Sequence, residues 1–400
     1  MTPAKKTFSW MTDFKLVLLL FLSARLMMLM AWPPENLTLY GDYRYYFDLA
    51  ALSDAGHIPF IHYWSEHAPL FPFLNLAIYS LSGGLFKNHV LLTALTMLVF
   101  EAGALTLLYR LAADAFGERR AVQVAWVYAA LYVPVFIWLG TFEAMTAFFV
   151  LLALFALRRG RLRLCGLAIG LGAMTKLLPL LLLAAVWRKL GWRAALTAGL
   201  VAVLVCGAIL GPLLALSPDY TLASLRAQAG KSSWQSIWAL IDGNASNTGN
   251  FGPIAERFDP AKAAETLHNP SRLPPWLTLL PFALLGLFVF TRPVLRQDDD
   301  LIFSALSVIL SFLWSKGWSP QWQVFLIPLL LLALPLQRGV AFILTLGFVN
   351  LLEWPVILSR GLTQLLPLTI IARTLIFVLL AYELYMLLTK HAPERDVSNA

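Results

Sequence analysis

The stretch Arg158–Arg193, RRGRLRLCGLAIGLGAMTKLLPLLLLAAVWRKLGWR, decides how this chain must be folded. Its middle, 164–187, is apolar and about as long as one helix crossing a ~30 Å hydrocarbon core requires. Arg158, Arg159, Arg161 and Arg163 precede it, however, and Arg188, Lys189 and Arg193 follow it. A single crossing would strand one basic cluster on the outer side, against the positive-inside rule. Lys176 and Pro179 interrupt the run, and a proline both removes a backbone donor and disfavours helix before it. The sequence therefore predicts two short helices, 164–175 and 177–187, meeting near Lys176 and returning both clusters to one side.

The composition extends that reading to the whole chain. Of its 400 residues, 59% are hydrophobic and only 13% charged, with mean hydropathy +0.72. Soluble domains run at roughly 45–50% and about 25%. Too little polar surface remains to coat a globule, which excludes a soluble enzyme, a collagen-like chain and a disordered one together. The net charge of +8 then reads as basic loops held at the cytoplasmic face, not as a nucleic-acid surface. Cys165 and Cys206 both lie in apolar stretches, so no disulfide framework is visible.

Further spans are expected at 14–32, 89–109, 121–139, 142–157, 193–216, 276–291, 301–315, 321–336, 339–358 and 365–388. Lys5, Lys6 and Lys15 before the first run resemble a signal peptide, but the run ends in Pro33-Pro34 without a small-residue cleavage site, so it reads as an uncleaved anchor. The fold class is thus an all-α polytopic membrane protein, a single domain over 1–400 with about twelve spans and both termini cytoplasmic. Two outer segments exceed mere turns, 33–88 and 217–275. Within the first, 69–86 is apolar but flanked by proline and reads as a helix on the membrane surface. Residues 389–400 read as a tail.

The first outer segment reads LYGDYRYYFDLAALSDAGHIPFIHYWSEHAPLFPFL from Leu39. A short helix is expected from Asp42, ended by Gly56. Asp42 sits near the mouth of the first span among tyrosines, where a carboxylate can take a proton from a hydroxyl. It can equally be the cap of that helix, and both readings stay open. Tyr40, Tyr43, Tyr45, Tyr46, Tyr63 and Trp64 fit a sugar platform or an interfacial aromatic belt. Asp48 and Asp54 share no helix face and read as solvated. His57, His62 and His67 recur every five residues, which suits neither a helix nor a strand face and speaks against a metal site. In the second outer segment Arg226 and Lys231 precede Trp234 and Trp238, spaced one helical turn apart as on an amphipathic interfacial helix. Asn244-Ala245-Ser246 matches a glycosylation acceptor only by its short pattern. Arg25, Glu101, Glu353, Arg373 and Glu383 fall within spans, where charge is expensive, and Glu353 and Arg373 are placed to pair.

Together these residues resemble the GT-C membrane glycosyltransferases: an early Asp in the first outer segment, a short helix ending Gly-x-x-Pro, and an acid before a Pro-Leu-Phe-Pro helix. The likeness is greatest to glycosyltransferase family 87, which uses polyprenyl-phosphate mannose. Glu66-His67-Ala68-Pro69 stands where that family has a Glu-Tyr-Pro-Pro-like motif, with its first proline missing. Met174–Pro179 resembles the family's Lys-x-x-Pro break, and Ser315-Lys316-Gly317-Trp318-Ser319-Pro320-Gln321-Trp322 its Ser-Pro-Gln-aromatic turn. The resemblance implies an inverting hexosyltransferase acting on the non-cytoplasmic face, with Asp42 as base. Lys176, Lys316 and Arg226, cations on the outer side, would hold the donor's phosphate. Tyr43, Arg44, Tyr46, Glu66, His67, Trp318 and Gln321 would contact substrate. Asp42 is followed by Tyr43-Arg44, so the paired acids of metal-dependent relatives are absent and no cofactor is expected.

The expected partners are a polyprenyl-phosphate sugar donor, a glycan or glycolipid acceptor and the lipid bilayer, with no nucleic acid. A bacterial inner membrane is the expected location. The rival reading is a transporter or flippase of an amphiphilic anion, which would use midplane cations but predicts symmetric halves, and none is visible. A glycan ligase and a non-catalytic subunit would each share the same architecture.

Overall fold

The computed structural model describes residues 14–33, 36, 41–132, 141–247, 249, 251–264 and 271–390. Lys5, Lys6, Tyr40, residues 133–139 of the expected span 121–139 and nearly all of the tail 389–400 lie outside the described residues. The described chain is helical, with isolated bridges at Pro59–Tyr63 and Trp234–Gly317 as its β pairing. In chain order the α-helices are α1 Phe14–Ala31, α2 Tyr43–Ala51, α3 Leu70–Leu81, α4 Phe86–Phe116, α5 Glu118–Ala130, α6 Glu143–Arg158, α7 Leu162–Ala173 and α8 Leu182–Leu190. They continue with α9 Trp192–Leu216, α10 Pro218–Gly230, α11 Ile237–Asp242, α12 Pro275–Phe290, α13 Asp299–Trp314, α14 Gln323–Ala333, α15 Leu336–Leu351 and α16 Leu366–Thr389.

Five helical segments are long and apolar enough to cross a membrane: Phe14–Ala31, Phe86–Phe116, Trp192–Leu216, Leu336–Leu358 and Thr363–Thr389. Helices α7, α12 and the segment Pro320–Ala333 are apolar but shorter. The expectation of about twelve spans is therefore met only in part. At 1.5 Å per residue the 12 residues of α3 and of α7 reach about 18 Å each, short of the hydrocarbon thickness. Pro355 sits in a π-helical stretch, Leu352–Leu358, that continues α15, as expected where a missing N–H breaks the regular ladder.

The basic clusters around 164–187 do return to one end. Helix α7 is followed by the turn Met174–Leu177, a 3-10 turn Leu178–Leu181 and then α8. At the far end of α6, Arg158 lies 2.8 Å from Asp300, and Lys189 at the end of α8 lies 2.6 Å from the same carboxylate. Arg188 grips the neighbouring Asp299 at 2.7 and 2.8 Å. One straight helix over 164–187 would separate its ends by about 36 Å. The shared acid proves the broken pair.

Charges within the spans are paired, which removes most of the cost of burying them. Arg25 binds Glu101 through two contacts of 2.8 Å, and Arg373 lies 2.6 Å from Glu353. Glu383 is held by Arg338.

The two outer segments fold onto each other. Trp64 is buried, donates its indole N–H to the carbonyls of Glu256 and Asp259, and packs on Ala223, Ala227, Phe251 and Ala263. Trp234 and Trp238 do not share a helix. Trp234 is in extended pairing with Gly317, and α11 begins only after it. Asn244 is buried and donates to Ser232 and Ser233, so its amide is closed to a glycan.

Candidate active site

Helix α2 and the 3-10 turn Leu52–Ala55 end at Gly56, whose φ of +80° suits glycine. Asp42 precedes this helix, yet its carboxylate makes no capping bond. Its Oδ2 instead accepts from the Tyr46 hydroxyl at 3.3 Å. Capping thus fails as the reason for an acid here. Tyr46 is itself locked, since Asn75 of α3 donates to its carbonyl at 2.7 Å and shares a 2.8 Å hydrogen bond with the buried His89 of α4. Burial pushes the Asp42 carboxyl up to about 6, Glu66 and Glu143 adding to the rise while the Tyr46 hydroxyl and Lys231 oppose it.

Asp42 stands on a wall between two adjoining cavities. One, of about 350 Å³, is polar and aromatic, lined by Tyr45, Gln235, Phe251, Arg257 and Trp354. The other, of about 460 Å³, is largely apolar and runs past Leu177, Leu181, Leu210, Leu225 and Phe325, with Glu143 and Lys176 on its surface. Asp42, Tyr46, Glu66, His67, Lys231, Trp234, Ser319 and Gln321 border both.

The charges around this wall come mostly in pairs. Arg257 reaches from the second outer segment to within 2.6 Å of Glu66, donates to the Tyr45 hydroxyl at 2.6 Å and stacks on Trp64 at 4.0 Å. Burial alone would raise the Glu66 carboxyl, but Arg257, helped by Lys231, outweighs it and holds it below its ordinary value. His67 is packed edge-on between Tyr46 and Phe142. Burial brings its imidazole down to about 4, which leaves it neutral near pH 7. Lys231 is lowered by burial, with Glu66 and Asp42 opposing that. Lys176 donates to Glu143 at 2.5 Å, with the rings of Trp322 and Phe325 at 4.8 and 5.5 Å.

Of the residues expected at the site, the structure gathers Asp42, Tyr46, Glu66, His67, Lys176 and Gln321 on these cavities. It does not bring Arg226 there. Ser224 and Leu225 of α10 face the apolar cavity, and the next position turns Arg226 out to an exposed face. Lys316 lines neither cavity. Its ammonium points to the Leu273 carbonyl, and its own carbonyl is taken by Trp234 and Ser236. Trp318 is core, donating to Asn350 and packed on Phe312 and Phe377. Tyr43 is fully buried away from both cavities, and Arg44 is exposed on an ion pair with Asp48. His57 and His62 touch each other 6.0 Å apart while His67 faces the cavities, and among the described residues no group of three His, Cys, Asp or Glu could hold a metal ion.

Sequence reasoning passed over Glu143, Arg257 and the role of Lys231 as cavity lining. Glu143 opens an apolar helix and was readable as an acid at a span mouth. Arg257 carries no such signal, because its partner Glu66 is far away in sequence.

The profile of glycosyltransferase family 87 matches residues 70–315, more than half of the chain. The chain belongs to glycosyltransferase family 87. Five helices able to cross a membrane mark this family-87 member as an integral membrane protein. No curated protein matches it. Among solved structures it is similar to the Archaeoglobus fulgidus oligosaccharyltransferase in the apo form, with a TM-score of 0.46 and 13% identity, over 98% of this chain and 57% of that one. The chain thus spans little more than half the length of that relative.

Proposed function

We propose that this family-87 protein is an inverting transferase that moves a hexose, mannose by family habit, from a polyprenyl-phosphate carrier to a hydroxyl of a glycan or glycolipid. One observation carries the reading: Asp42, an acid without a capping role, sits where an apolar cavity meets a polar one. The carrier's isoprenoid follows the apolar cavity past Leu177, Leu181 and Leu210. Its phosphate lies toward Lys231 and Lys176, and the acceptor fills the aromatic cavity beside Tyr45 and Trp354. As the acceptor oxygen bonds to the anomeric carbon, its proton passes to Asp42 and the bond to phosphate breaks on the opposite face. Configuration inverts, and polyprenyl phosphate departs toward fixed cations that stabilise its growing charge. No metal enters this scheme, since Tyr43-Arg44 follows Asp42 where a second acid would be needed. The site opens to the non-cytoplasmic face, of a bacterial inner membrane in this reading, with both termini cytoplasmic.

The test uses a radiolabelled polyprenyl-phosphate hexose with membranes holding the protein. Transfer of label into a glycan or glycolipid, lost with Asp42→Asn while folded protein persists, is the expected result. Label carried across the bilayer without any new product would establish the transporter reading instead. Undiminished transfer by Asp42→Asn removes the base.

A further inference from the structure

Glu143 is buried at the mouth of α6, and the one hydrogen-bonding partner of its carboxylate among the described residues is the ammonium of Lys176, held by Oε1 at 2.5 Å. Its other oxygen, Oε2, is buried with no hydrogen bond. The rings of Trp322 and Phe325 lie 4.8 and 5.5 Å from the ammonium, and the Lys176 side chain is otherwise partly open to the cavity. The pair lies on the apolar cavity, where the other titratable groups facing it are Asp42, Tyr46, Glu66, His67 and Lys231. Glu66 is already matched by Arg257.

From this arrangement we infer that Glu143 occupies the seat of the donor's phosphate on Lys176, and that donor binding displaces it with uptake of one proton. This rests on the reading of the apolar cavity as the donor site. A polyprenyl-phosphate sugar is a phosphodiester and brings one fixed negative charge to the ammonium. Glu143 holds the Lys176 ammonium at contact distance on the cavity wall, so a phosphate that engages this cation competes with the carboxylate for it. Glu143 then has no partner, and a buried ion without a partner is neutralised instead of being kept. Asp42 stays ionised for catalysis, and Glu66 is locked by Arg257. The proton comes from solvent and returns to it when the phosphate leaves.

The experiment is titration calorimetry of the detergent-solubilised protein with farnesyl methyl phosphate, a diester with one fixed charge, in buffers of differing ionisation enthalpy. The wild type should take up about one proton per ligand at pH 8, with affinity falling about tenfold per pH unit on the alkaline side. Glu143→Gln should bind without proton uptake, about tenfold tighter than wild type at pH 8 and with little pH dependence. Asp42→Asn should keep the wild-type uptake. Binding without uptake in the wild type, or uptake undiminished in Glu143→Gln, overturns the inference. Uptake lost in Asp42→Asn alone assigns the proton to Asp42 and overturns it too. Absence of binding to the wild type overturns it together with the donor-site reading, whereas failure of the base assignment shows only in the transfer assay.

Discussion

A carboxylate serves best as a general base when its own proton affinity lies near the working pH. Asp42 is moved toward that range by burial, to about 6. The direction matters: the active form is the carboxylate, so a raised value shifts the loss of activity upward in pH from the ordinary carboxylate range. The acid limb of kcat/KM, which reports the free enzyme, is expected near pH 6, falling about tenfold per pH unit below it. An acid limb near pH 4 would place Asp42 in bulk water and contradict its burial. The residues legible beforehand share one property with Asp42. Glu66, His67 and Gln321 are polar side chains in short motifs between apolar runs, where a solvated loop is the default and a cavity the exception. Arg226 failed for a geometric reason, since one step along α10 is a turn of about 100° and moves a side chain from the cavity face to the outside. Glu143 was readable as an acid at the mouth of an apolar helix, but that position reads first as the edge of a span.

At the scale of elements, the wall between the cavities is built by a contact between two loops. The Trp234 amide donates to the Lys316 carbonyl and the Trp318 amide to the Trp234 carbonyl, both at 3.1 Å. Gln235, the next residue, adopts φ +45°, uncommon for a side chain other than glycine. Its carbonyl is held by Arg373, which Glu353 in turn holds, so the pair expected from sequence as structural does its structural work at the cavity wall. Gly317 is what lets the loops meet, because a Cβ there would stand 2.3 Å from the Trp234 indole. The clashing atoms belong to a rigid ring packed edge-on against Trp322, so making room for the methyl means shifting a whole indole and not a flexible chain end. Gly317→Ala is therefore expected to destabilise the fold by about 1–3 kcal/mol, read as a lower Tm in detergent, and to weaken substrate binding because Ser319 and Gln321 border both cavities. An unchanged Tm would mean that the loops part easily. Helix positions were legible from hydropathy because span length is fixed by the bilayer. This loop contact was not, since it joins residues about eighty positions apart through backbone atoms that carry no sequence pattern.

For the whole molecule, one shared acid ties two helix ends together. Arg158 and Lys189 reach Asp300 from the ends of two different helices, so everything between them leaves and re-enters one face. The turn at Lys176 is then the far point of that excursion, and it is there that Lys176 meets Glu143 and the apolar cavity. In the proposed reading the site is expected to open on the side opposite the basic clusters, which the positive-inside rule assigns to the non-cytoplasmic face. In a background with Cys165 and Cys206 replaced, Arg161→Cys and Arg193→Cys lie on exposed positions at one end, and Ala55→Cys lies exposed in the first outer segment. A membrane-impermeant maleimide applied to intact cells should label Ala55→Cys and leave the other two unmodified until the membrane is opened. Had 164–187 crossed once, Arg161→Cys and Arg193→Cys would react from opposite faces. That outcome would require Asp300 to be in two places, so the labelling tests the ion pairs and the orientation of the active site in the same measurement.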